Sequence, residues 1–89
     1  MLTLPQALTQ IQASACLREL TLALRAEPGG QAEVDASALQ RFDSAALAVL
    51  LALRREALAS GKTFSVHALP AELGNLAGLY GIAGLLPLI

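Results

Sequence analysis

Between Gly30 and His67 the hydrophobic period of the chain changes twice, and this constrains the fold more than any other feature. Val34, Ala36 and Ala38 alternate with Glu33, Asp35 and Ser37, a two-residue period that suits a half-buried strand. From Ser44 to about Ser60 the apolar residues recur at the helical period, and Gly61 stands where a left-handed stop is favoured. Alternation then returns in Thr63-Phe64-Ser65-Val66-His67, with Phe64 and Val66 on one face. A strand, a helix and a strand in so few residues describe a crossover unit, whose two strands pair side by side in parallel.

The boundaries of that unit rest on particular residues. Gln31 to Leu39 is rich in alanine and by propensity alone could be helical, but Gly29-Gly30 before it and Asp43-Ser44 after it bracket a segment of strand length. Arg41 to Ser44 reads as a polar turn that places Asp43 and Ser44 at the amino end of the helix, where backbone N–H groups lack partners. On the helical wheel Leu47, Val49, Leu50, Leu51, Leu53 and Leu58 fill an arc wider than one core contact needs. The opposite strip holds Ala45, Ala48, Ala52 and Ala59 beside Arg55 and Glu56. Such a helix packs on a sheet and a neighbouring helix, and its alanine strip would let another protein's backbone come close.

The flanks extend the same pattern. Met1 to Leu4 is apolar enough for a short strand closed by Pro5. Thr9 is a candidate N-cap for a helix through Ala13, Cys16, Leu17, Leu20 and Leu24 to about Arg25, with Ile11 and Leu22 off its stripe. Pro28-Gly29-Gly30 ends that helix. After the strand at Thr63–His67, Pro70 is expected at the first helical position and Glu72 beside the positive end of the helix dipole. Leu73, Leu76, Ala77 and Tyr80 follow at helical spacing up to Gly81, and Leu85 to Ile89 is an apolar tail. Leu73 to Ile89 carries Gly74 and Gly78 at the spacing of a membrane packing motif, but it is short for a span and contains Asn75 and Pro87. It is read as a buried amphipathic helix. The whole is an α/β chain: a mostly parallel sheet of three to four strands with crossover helices, in a single domain of 89 residues.

Composition narrows the function. A net charge of −1 with 3% aromatic residues supplies neither the basic stripe nor the stacking rings of a nucleic-acid binder. Charged residues make up only 15% of the chain and apolar ones 55%, a surface balance that favours meeting a partner. Cys16 is the only cysteine and His67 the only histidine, so neither an internal disulfide nor a Cys/His zinc site is expected, and no cofactor is implied. With no basic-then-apolar leader at the amino end, a reducing cytoplasm is expected. Cys16 is expected to be a small core residue and Tyr80 a partly buried one. Asp43, Ser44 and His67 are the residue types of a hydrolase triad, yet Asp and Ser are neighbours and no Gly-x-Ser-x-Gly turn is present, so catalysis is not expected.

Asp35-Ala36-Ser37 followed by Arg41-Phe42-Asp43-Ser44-Ala45-Ala46-Leu47 resembles the signature of the STAS domain family, also known from anti-sigma factor antagonists. Within it, the Leu-rich helix and Leu76-Ala77-Gly78-Leu79-Tyr80-Gly81 are most similar to the MlaB branch, cytoplasmic STAS subunits of bacterial phospholipid-transport ABC systems. The resemblance runs from about Gln31 to Pro87. It implies a non-enzymatic module that binds the ATPase subunit of the transporter through the turn around Ser44, with Arg41, Asp43, Ala45 and Ala48 as the rest of the docking face. The membrane would then be met only through the partner. The alternative it implies is an anti-sigma factor antagonist, in which an anti-sigma factor kinase binds and phosphorylates Ser44. Two departures stand out. Ala46 occupies a position where many members have glycine, and the chain begins near what would be the family's second strand, so the usual first strand is missing. A bare sheet edge would favour a homodimer.

Overall fold

In the computed structural model, which describes residues 1–86, the chain alternates short strands and helices in the expected order, with two additions. Strands β1 (Leu2–Thr3), β3 (Gln31–Asp35) and β5 (Thr63–His67) form one sheet in the order β1-β3-β5, parallel throughout. Two further strands of two residues each, β2 (Ala7–Leu8) and β4 (Arg41–Phe42), pair in parallel as a separate ribbon. Between them run α1 (Ala13–Ala26), α2 (Ser44–Ala59) and α3 (Ala71–Leu79), and a short 3-10 turn at Ala83–Leu85 follows. Residues 87–89, with Pro87 and the end of the apolar tail, lie outside the described residues.

The alternation read from the sequence determines which side of the sheet is covered. Leu2, Leu4, Ala32, Val34, Ala36, Phe64 and Val66 are buried, whereas Thr3, Gln31, Glu33, Asp35, Thr63, Ser65 and His67 are exposed or half-buried. Parallel sheets are ordinarily covered on both faces and read as unbroken apolar runs. Here the helices stack in sequence, α1 on α2 and α2 on α3, over one face, and the other stays polar. Across that polar face His67 Nε2 lies 3.4 Å from a Glu33 carboxylate oxygen, with no hydrogen bond formed.

Helix α2 is the centre of the core. Leu47, Val49, Leu50 and Leu53 are buried on it, together with Ala46 and Ala57, whose methyl groups fit where two elements approach closely. Leu58, assigned to the apolar arc by its wheel position, is 50% exposed, because the arc is wider than the core it meets. Helix α1 contributes Cys16, Leu20 and Leu24, while Ile11 and Leu22 are exposed as their places off the stripe require. Arg25 on α1 pairs with Glu56 on α2 at 3.2 Å, an exposed contact that adds little. Gly61 at φ 74° lets the chain turn from α2 into β5.

Several boundaries differ from expectation, each for a local reason. Strand β3 stops at Asp35 instead of reaching Leu39, because the Asp35 carboxylate accepts from the Ser37 N–H at 2.9 Å and forms a side-chain turn. The same bond holds the Asp35 carboxyl below its usual range. Ala38 is therefore exposed, and Leu39 is the next residue into the core. Arg41 to Ser44 is not simply a polar turn, since Arg41–Phe42 is strand β4. Regular α1 starts at Ala13 with Gln12, not Thr9, as its N-cap, because Thr9 lies one turn earlier, where its N–H and hydroxyl both donate to Gln12 Oε1, at 2.9 and 2.6 Å. Pro70 is the N-cap of α3 and not its first helical residue. Tyr80, expected to be partly buried, is 58% exposed where α3 ends. The amphipathic reading of the carboxyl end holds for α3, which buries Leu73 and Ala77, and no helix among the described residues is long and apolar enough to cross a membrane.

Candidate functional site

The amino end of α2 is set by Asp43, whose extended backbone (φ −136°, ψ −167°) is that of an N-cap. Its carboxylate uses both oxygens: Oδ1 accepts from the Ala45 N–H at 2.8 Å and Oδ2 from the Gln10 N–H at 3.1 Å. Ser44 is thus the first residue inside the helix and not its cap, as the sequence had equally allowed. Its hydroxyl is not spent on capping, and the residue is exposed. Next to it, the Ala46 N–H bonds to the Asp43 carbonyl at 3.0 Å and the Ala46 methyl is wholly buried, so this turn closes without glycine.

Gln10, Asp43, Ser44, Ala45 and Ala48 line one shallow concavity of about 290 Å³. Four of these were expected at the docking face; Gln10 was not. It arrives through tertiary pairing, because β2 beside β4 brings the start of the following turn to the Asp43 carboxylate. The Gln6 carbonyl accepts from the N–H groups of Gln40 and Arg41 at 2.8 and 3.0 Å and fixes the same approach. A two-residue strand has no readable period, so the sequence carries no signal for it. Arg41 is exposed on β4 but does not line the concavity. The wall is small and uncharged apart from Asp43, whose carboxylate is already engaged, and it presents a hydroxyl with alanine methyl groups. This suits close approach of another backbone, and the lining holds no histidine, lysine or cysteine beside Ser44.

The other candidate residues lie elsewhere. His67 faces Glu33 on the polar side of the sheet and is absent from the lining around Ser44, so the triad residue types are not brought together. Cys16 is buried, and burial, with the nearby Glu19 charge second, pushes its thiol pKa up, which makes it a poor nucleophile. Among the described residues no group of three or more His, Cys, Asp or Glu could hold a metal ion. A hollow of about 610 Å³ lies beside Met1, Glu27 and Gln31. It exists because β1 pairs only with Val34 and Asp35, which leaves the first half of β3 without a strand neighbour on that side among the described residues.

A family model described as "Mlab, STAS domain" matches residues 1–87 of the chain. No curated protein matches it.

Proposed function

Because the chain belongs to the STAS domain family, of MlaB type, we propose that it docks the ATPase subunit of a phospholipid-transport ABC system on the surface around Ser44, and so regulates that ATPase. STAS domains are in general protein-interaction modules without enzymatic activity of their own. The observation that supports this surface over others is the division of labour at the α2 end. Asp43 does the capping, so Ser44 keeps its hydroxyl for a partner, among alanines that let a partner's backbone come near. The reading carries with it a cytoplasmic location, in contact with the membrane only through the transporter.

Affinity capture from native lysate tests it. Wild-type protein is expected to bring down an ABC-type ATPase, identified by mass spectrometry; recovery of an anti-sigma factor kinase in its place would support transcriptional control and overturn the transport reading. The kinase reading needs a phosphate at Ser44, which would carry about −1.5 to −2 charges. The positive helix end would welcome it, but the adjoining Asp43 carboxylate would repel it. Intact mass after incubation with lysate and ATP is therefore expected to be unchanged, and a gain of one phosphate on Ser44 would count for the switch.

We propose in addition that the first half of β3, which has no strand neighbour on the β1 side among the described residues, supports self-association. Light scattering over a concentration series should show mass rising above that of a monomer, and a constant monomeric mass would refute it.

A further inference from the structure

From the two hydrogen bonds of one carboxylate we infer that Asp43 is a positioning residue, a clasp that holds the β2–α1 turn in place as the second wall of the Ser44 surface. Asp43 Oδ1 accepts from the Ala45 N–H and Oδ2 from the Gln10 N–H, so one side chain joins the start of α2 to a segment 33 residues earlier in the chain. Each oxygen thus already holds one backbone N–H. The turn it holds is otherwise built from its own contacts. Thr9 donates to Gln12 Oε1 through both its N–H and its hydroxyl, and the Ile11 N–H reaches the Thr9 hydroxyl at 3.3 Å. These bonds shape the turn without fixing where it sits relative to Ser44. The tether to α2 at this point is the Asp43–Gln10 bond, assisted further back by the β2–β4 pairing.

The clasp also determines what a partner meets. Gln10 lines the concavity, and the next residue, Ile11, is 89% exposed on the same turn. Ile11 itself lines a separate hollow with Pro5, Ala7 and Cys16, so what the clasp adds to the Ser44 surface is the Gln10 wall. The role in docking rests on the function proposed above; the clasp itself does not.

Asp43→Asn and Asp43→Ser separate the two bonds. Both replacements are good N-caps, but each has one acceptor oxygen where the aspartate has two. We expect the Ala45 amide to keep its protection from hydrogen exchange while the Gln10 amide exchanges about tenfold faster or more, the size of one lost charge-assisted bond. Helix content by circular dichroism should not change. Capture of the ABC ATPase should fall several-fold in both variants. Unchanged Gln10 exchange in both Asp43 variants would overturn the clasp. A released turn with undiminished ATPase capture would overturn its part in docking. If wild type captures no ATPase, the proposed function fails, and the exchange result still decides the clasp.

Discussion

Ser44→Arg is expected to lower the affinity for the proposed ATPase partner by about a hundredfold or more, a loss of roughly 3 kcal/mol, while far-ultraviolet circular dichroism stays as in wild type. The binding loss follows from geometry: a long side chain would occupy a concavity of about 290 Å³ lined by small groups, and its charge would have to be desolvated when the partner closes. The fold is spared because Ser44 is exposed and the cap belongs to Asp43. A cation near a helix amino end costs only about 0.3–1 kcal/mol. Retained binding would show that the partner docks elsewhere. A loss of helical signal would mean that the serine has a structural part that its contacts do not reveal.

Leu53→Ala should have the largest effect on stability. Leu53 is fully buried on the face of α2 that meets the sheet and the neighbouring helices. Truncating such a leucine costs about 2–5 kcal/mol, the transfer of the lost atoms plus the cavity left behind. In a domain of this size each kcal/mol moves Tm by about 4–8 °C, so a fall of roughly 8–40 °C is expected. Leu58→Ala is the control. The side chain is apolar and on the same helix but 50% exposed, and its loss should cost less than about 1.5 kcal/mol. Equal destabilisation by the two would contradict the burial of α2 described above. Thermal melts of both variants make the comparison.

The parts of this fold that could be read in the sequence are those that repeat a period for long enough to reveal it. Strand β5 has five residues of strict alternation, and α2 has four turns of apolar recurrence bounded by a cap and a glycine. Both were found with nearly the right ends. Strands β2 and β4 were not, because two residues cannot show a period and their pairing is specified by contacts between distant parts of the chain. The same reason hid Gln10, which becomes a site residue only when that ribbon forms. At the α2 start the sequence offered two adjacent good N-caps, and propensity does not choose between Asp43 and Ser44. The backbone chooses: Asp43 is extended and Ser44 is helical, so the aspartate caps and the serine is left outward. Ala46 shows the converse. The motif suggested a need for glycine there, but its helical backbone and buried methyl group show that alanine fits.

Arg41 illustrates the limit of carrying roles along a motif. It lies two residues before Asp43 in sequence, yet the strand pairing turns it away from the concavity lining, and its share in docking would come from the rim of the surface. Charges at a rim act more on the rate of encounter than on the lifetime of a complex.

In the proposed docking, the α2 end and not the polar face of the sheet receives the ATPase. A photoreactive amino acid placed at Ala48, which lines the Ser44 concavity, and in a separate variant at Thr63, exposed at the start of β5 on the polar face, tests this directly. Irradiation with the captured ATPase should give a covalent adduct from position 48 and none from position 63. An adduct from position 63 alone would contradict the account.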